Sequence, residues 1–279
     1  MSEAIKPLEE VRREIDEIDT ALHDLIMRRT RAVEQVAAAK GETDTPGYIP
    51  GREVQVLRRL LARHEGAFPR QALVRIWREM IAAFTVLQGP FKVVVCADGA
   101  IQGHWDLARD HFGSHATMSS LATPREVVAR VSGGEASVGI VPVPAEGEDA
   151  WWRMLGGAVA PRIVARLPFI GGSNARDDGA GAYAVAKLEP DSTGDDRALL
   201  FVETAMELSR GGLRSLVADA NLKARLIVAD REDVTAHLIE VEGFLAPEDP
   251  AVEMLAARDE VRTVHVVGAY GAPFEGAPS

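Results

Sequence analysis

The sequence predicts a multidomain chain: an all-α helical domain over residues 1–90, an α/β domain over 91–190 and an α+β ferredoxin-like domain over 191–279. Three observations predict it. Up to Gly89-Pro90 the apolar residues recur at helical spacing; beyond Pro90 short β-branched runs alternate with helical stretches; and the last stretch runs in the order β-α-β-β-α-β.

The first helix is expected from Pro7 to about Lys40, with Leu8, Val11, Ile15, Ile18, Leu22, Leu25, Ala32, Val33 and Val36 at helical spacing. Pro7 suits the first turn and Gly41 the stop. A loop over Gly41–Gly51 leads to a second helix from Arg52 to His64, whose apolar side is Val54, Leu57, Leu60 and Leu61. A third begins at Pro69 and carries Leu73, Ile76, Trp77, Met80, Ile81 and Leu87. The first helix is too long for the other two to cover its stripe, so the unit is expected to be completed by a second copy.

Charges interrupt that stripe. The row Leu8, Ile15, Leu22 continues in steps of seven to Arg29, so a guanidinium stands where an apolar residue is expected. Lys40 lies about 20° around the helix from Arg29 and roughly 16 Å along it, within reach of its long stem. Two cations facing one space call for a dianionic ligand. Arg12 precedes Arg29 by 17 residues, about 25 Å along the axis and about 100° around it, too far for one small ligand to touch both. In an antiparallel pair of helices, Arg12 of one subunit approaches Arg29 and Lys40 of the other, so the spacing predicts a homodimer with shared sites. The alternative makes Arg12 a surface cation paired with Glu9 or Asp16, and Arg29 a side chain that snorkels to water.

After Pro90, strands are expected at Lys92–Ala97 and Ser137–Pro144, with helices near His104–Phe112 and Pro124–Ser132, a β-α-β-α-β reading. Further strands are expected at Arg162–Ile170 and Ala180–Ala186, and polar Glu189–Asp196 reads as a linker. The last domain has strands at Arg197–Thr204, Lys223–Asp230, Thr235–Glu242 and Arg262–Tyr270. Its helices contain Gly211-Gly212-Leu213 and Pro250–Arg258.

Composition narrows the function. The chain has 279 residues, 47% of them hydrophobic, and a net charge of −11. Residues 1–90 hold 14 cations and 14 acids, so the excess lies in residues 91–279, with 17 against 28. An acidic chain of this kind is a poor partner for nucleic acid. No apolar run reaches the length of a membrane span, and Met1–Lys6 has no signal-peptide core, so a cytoplasmic protein is expected. The single cysteine, Cys96, sits in an apolar run and is expected to be a buried thiol. The seven histidines show no ligand spacing, and neither metal nor cofactor is expected.

The helical segment resembles the all-helical class of chorismate mutases. The resemblance rests on Leu8-x-x-x-Arg12-x-x-Ile15-x-x-x-Asp19-x-x-Leu22, then Arg28-Arg29, Lys40, Arg52-Glu53 and Gln88. It implies an intertwined helical dimer that rearranges chorismate, a dicarboxylate, to prephenate. It also implies roles: Arg29 and the partner-chain Arg12 clamp the carboxylates, Lys40 donates to a carboxylate and the ether oxygen, and Gln88 donates to that oxygen from the other side. Glu53 accepts from the ring hydroxyl and Arg52 balances charge. Two positions depart from the family: Ile49 stands where an acid is often found, and Phe84 where a small hydroxyl residue is common.

The remainder resembles a prephenate dehydratase followed by an ACT domain. The resemblance rests on Gly133-Gly134, Val138-Gly139-Ile140-Val141-Pro142, His237–Gly243 and Val266–Tyr270. The Thr-Arg-Phe motif of the dehydratases is missing, its nearest segment being Asn174-Ala175-Arg176-Asp177, and so is the Glu-Ser-Arg-Pro signature of a phenylalanine pocket. The resemblance therefore implies a chorismate mutase fused to a degenerate dehydratase-like lobe and an ACT-like module. A bifunctional mutase/dehydratase and a non-catalytic regulatory protein stand as alternatives.

Overall fold

The computed structural model describes residues 6–40, 47–97, 103–157, 159–171, 176, 181–205, 208–231 and 235–274. Three helices lead: α1 (Leu8–Lys40), α2 (Pro50–Arg63) and α3 (Arg70–Leu87). Glu9 and Glu10 in the first turn of α1 suit the positive end of its dipole. α1 has 33 residues, about 50 Å of helix, and every residue from Lys6 to Arg28 is exposed. α2 starts two residues earlier than the apolar pattern suggests, because Pro50 fits the first turn and the Glu53 N–H reaches the Ile49 carbonyl at 3.1 Å.

The rest of the chain builds one mixed sheet of nine strands in the order β2-β1-β3-β5-β4-β9-β6-β8-β7. The first group is β1 (Lys92–Cys96), α4 (Gly103–Phe112), β2 (Thr117–Leu121), α5 (Pro124–Ser132), β3 (Val138–Pro142), β4 (Arg162–Leu167) and β5 (Ala182–Ala186). Here β1 pairs in parallel with β2 and β3, and β5 runs antiparallel to both β3 and β4. β2 supplies the middle strand of the β-α-β-α-β reading. Its sequence, Thr-Met-Ser-Ser-Leu, gives no strand signal because it is an exposed edge with no apolar face to bury. α5 has a capping box, with Thr123 and Glu126 each accepting from the other's backbone N–H. It packs so closely on β3 that a Cβ on Gly139 would stand 2.5 Å from Val127 Cγ1, which explains the glycine in that strand.

The second group is β6 (Asp196–Thr204), α6 (Arg210–Asp219), β7 (Ala224–Asp230), β8 (Ala236–Glu242), α7 (Pro250–Ala256) and β9 (Val261–Gly271). Its antiparallel order, β9-β6-β8-β7, is the ferredoxin-like arrangement. Leu213, Leu216 and Val217 of α6 and Val252 and Leu255 of α7 cover one face.

The two groups meet where β4 and β9 pair in parallel at Ile163 and Gly268. A β-bulge between Leu199 and Leu200 turns β9 there, and a Cβ on Gly268 would lie 2.3 Å from the Ile163 carbonyl oxygen. One core spans the junction: Trp151 and Trp152, in a 3₁₀ turn over Trp151–Leu155, pack with Val127, Tyr183, Phe201 and Leu238.

The polar segment before β6 is a pinned turn, which corrects its reading as a linker. The buried Asp196 carboxylate accepts from Ser192 Oγ, Thr193 N and Oγ1, and Gly194 N. Arg58 of α2 donates to Thr193 Oγ1 at 2.8 Å, the Asp195 carbonyl at 2.6 Å and the Ala272 carbonyl at 2.9 Å. Its polarity serves this network rather than solvent. Among the described residues no helix is long and apolar enough to cross a membrane, and no group of His, Cys, Asp and Glu could hold a metal ion.

Candidate functional site

Arg29 is brought by α1 onto α3, where its Cζ lies 4.4 Å from the centroid of the Phe84 ring. Its Nη1 is buried and has no hydrogen-bond partner among the described residues. Burial lowers the guanidinium's pKa from its ordinary value, as expected when a cation leaves water without an anion to meet it. Phe84, a departure from the family pattern, is thus the surface on which Arg29 lies. A cation over an aromatic face is held in place without using its N–H groups.

Gln88 follows Phe84 by one turn and caps α3, its Nε2 donating to the Phe84 carbonyl at 3.0 Å. It lines a cavity of about 520 Å³ together with Tyr48, Thr85, Lys92, Ser137 and Lys187. Arg12 is exposed on α1, and among the described residues it forms no ion pair with Glu9 or Asp16. Arg52 is exposed on α2. Lys40 is the last residue of α1, and its side chain lies outside the described residues, as do residues 41–46 of the following loop.

Glu53 faces another way. It is buried on α2 and accepts from Arg78 Nη1 of α3 at 2.5 Å, with the Arg78 guanidinium 5.6 Å from the Phe169 ring centroid. Burial pushes the Glu53 carboxyl up to about 7, against the pull of Arg78. Arg78 and Phe84 are six residues apart, about 120° around α3. Within one chain, therefore, Arg29 and Gln88 share the Phe84 side of α3, while Glu53 lies on the Arg78 side.

The sequence reading overlooked Arg78, Tyr48 and His111. Tyr48 is buried between the Phe91 and Phe112 rings, at 5.7 and 5.6 Å, and its hydroxyl has no partner among the described residues. Burial first, and Glu53 second, raise its pKa well above the ordinary value. Arg78 was legible by the argument applied to Arg29, since Val74, Arg78, Ala82 and Thr85 form one buried row of α3.

Residues 11–89 match the chorismate mutase type II family. The matched stretch contains Arg12, Arg29, Lys40, Arg52, Glu53 and Gln88. The chain is 32% identical over 143 residues to the bifunctional chorismate mutase/prephenate dehydratase of Aquifex aeolicus (strain VF5), covering 50% of this chain and 39% of that protein. It is 31% identical over 150 residues to the protein of the same description from Pseudomonas aeruginosa, covering 51% and 40%. The matches thus span about two fifths of these relatives' length. Among solved structures, prephenate dehydratase from Streptococcus mutans superposes with a TM-score of 0.48 at 16% identity, over 65% of this chain and 99% of that one. Of the Asn174-Ala175-Arg176-Asp177 segment only Arg176 is described; its Nε and Nη2 each donate to Asp106, at 2.8 Å.

Proposed function

We propose that this chain is a chorismate mutase of aromatic amino acid biosynthesis, cytoplasmic and homodimeric, with residues 1–90 as its catalytic domain. The observation that carries the proposal is the buried, unpartnered Nη1 of Arg29 above Phe84. A half-buried guanidinium with no anion among the described residues costs folding free energy, and a carboxylate of the substrate compensates it. The mutase match of residues 11–89 supports chorismate as the dicarboxylate.

The rearrangement is unimolecular, so the site needs no nucleophile or general base. It holds the compact conformer of chorismate between carboxylate clamps, an effect of positioning. It also places donors at the ether oxygen, where negative charge grows as the C–O bond breaks ahead of C–C bond formation. Arg29 takes one carboxylate and Arg12 of the partner subunit the other. Lys40 and Gln88 donate toward the ether oxygen and Arg52 balances charge; Glu53, to which the family pattern gives the ring hydroxyl, is held by Arg78 on the other side of α3.

The dimer is supported by α1. Leu8, Ile15 and Leu22, with Val11, Ile18 and Leu25 between them, form one continuous apolar face, and each is at least 36% exposed. Such a face needs a second helix to cover it. The remaining residues are read as a degenerate dehydratase-like lobe over 91–190 and an ACT-like module over 191–279.

One observation favours the non-catalytic alternative: Glu53, needed for the hydroxyl, is engaged by Arg78. Chorismate depletion by the purified chain decides between the two, since no measurable turnover sinks the mutase proposal. Phenylpyruvate formation from chorismate would instead establish the bifunctional enzyme.

A further inference from the structure

A cavity of about 360 Å³ opens where α3, α4 and the chain just after β4 meet. It contains none of Arg12, Arg29, Lys40, Arg52 or Gln88. Ala72, Leu107, Phe169 and Ile170 give it apolar walls. Of the five polar side chains that line it, Gln71, Arg75, Arg78, Asp110 and His111, two are more than nine-tenths buried: Arg78 at 3% and His111 at 7% exposure. At the rim Arg75 and Asp110 form an ion pair.

The polar groups here are incompletely used. His111 Nε2 is buried with no partner among the described residues. Burial, and then Arg78, hold the imidazole well below its ordinary pKa, so it is neutral and presents one N–H and one lone pair. Arg78 places Nη1 on Glu53, one of five guanidinium N–H groups. Burial pushes the Glu53 carboxyl up to about 7 against the pull of Arg78, which weakens it as a counter-ion for that cation. A buried unpartnered donor or acceptor is costly to leave unsatisfied, and a cavity of this size falls in the range of small-molecule sites.

We infer that this cavity is a binding site for a small apolar molecule bearing one carboxylate, its body against Phe169, Ile170 and Leu107 and its carboxylate on Arg78 and His111. The site lies between the helical domain and the sheet and is separate from the proposed mutase site. It stands whether or not the chain rearranges chorismate.

The test is calorimetric titration of the full chain at neutral pH with 3-phenylpropanoate, with the uncharged isostere 3-phenylpropanamide, and with inorganic phosphate. The acid is expected to bind about 10-fold tighter than the amide, the difference a charge-assisted hydrogen bond supplies, and phosphate not to compete with it. Ala72→Phe fills the cavity and is expected to weaken the acid at least 10-fold. The His111 ring resonances of the unaltered protein are expected to move on titration, a readout that needs no variant. An amide that binds as tightly as the acid, an Ala72→Phe variant that binds as well as the parent, or His111 resonances that stay in place would each overturn the assignment.

Discussion

Arg29→Met separates stability from activity, because the structure gives the two opposite signs. The guanidinium gains a cation–π contact with Phe84 at 4.4 Å, about 0.5–2 kcal/mol. Against that stands a buried Nη1 without a partner, which costs about 1–3 kcal/mol. Methionine keeps the length of the side chain and most of its packing, and its sulfur recovers about 0.3–1.5 kcal/mol against the ring. The folded protein is therefore expected to be as stable as the parent or about 1 kcal/mol more stable in urea denaturation. Chorismate turnover is expected to fall about 100-fold or more in kcat/KM, roughly 3 kcal/mol of charge-assisted binding.

Both measurements belong on one preparation. A variant that loses more than about 1 kcal/mol of stability would mean that Arg29 is satisfied in the free protein, and the argument from an orphaned guanidinium would fail. Near-parental turnover would remove Arg29 from the site. Arg29→Lys serves as the companion, since a lysine keeps the charge but neither stacks flat on Phe84 nor forks two bonds to a carboxylate. It is expected to recover little of the lost rate.

Glu53→Ala leaves Arg78 buried and alone and is expected to cost about 3–5 kcal/mol, most of which the double variant with Arg78→Met restores; equal losses in single and double variants would contradict the pairing. The pH dependence follows from the raised carboxyl pKa of about 7: a group raised on folding stabilises fully below its unfolded pKa and loses that contribution as pH climbs through the folded one. Relative to Glu53→Gln, the parent should lose about 2–3 kcal/mol of stability between about pH 5 and 8, and parallel curves would refute it. Leu22→Asp in the exposed stripe of α1 should shift sedimentation from dimer to monomer and abolish turnover. Mixing Arg12→Ala with Lys40→Ala subunits should restore partial turnover if sites are shared, and mixed dimers that stay inactive would exclude the antiparallel arrangement. Gly268→Ala would drive a methyl to 2.3 Å from the Ile163 carbonyl oxygen and is expected to cost about 2 kcal/mol or more; a fully stable alanine variant would show that β4 and β9 do not pack as described.

Legibility followed the range of the interactions. α1, α5 and the ferredoxin-like order could be read because their signals are local: a periodic stripe, a Thr-Pro start with its capping glutamate, a repeated strand-helix rhythm. β2 was unreadable because an exposed edge strand carries no alternation. The 189–196 segment reads as a linker because composition does not reveal that Arg58, more than 130 residues earlier, donates to Thr193 and Asp195 within it and ties both to Ala272. Ile76 and Leu87 looked like core and are exposed, since the buried row of α3 runs through Val74, Arg78, Ala82 and Thr85.

Arg29 and Arg78 state the remaining step. Each stands in an apolar row, the exposed stripe of α1 for Arg29 and the buried row of α3 for Arg78, and periodicity alone gives both the same question: where is the anion? The answer for Arg78 lies on another helix of the same chain, in Glu53. For Arg29 the described residues offer an aromatic ring and no anion. A cation with an anion in the chain ties two elements together and brings only its remaining donors to a ligand; a cation with no anion among the described residues is the one we propose for the dicarboxylate. That difference is why Arg29, and not Arg78, is placed in the proposed dicarboxylate site. It also explains why a phenylalanine is compatible with that site: a ring face orients a guanidinium while consuming none of the donors the substrate needs.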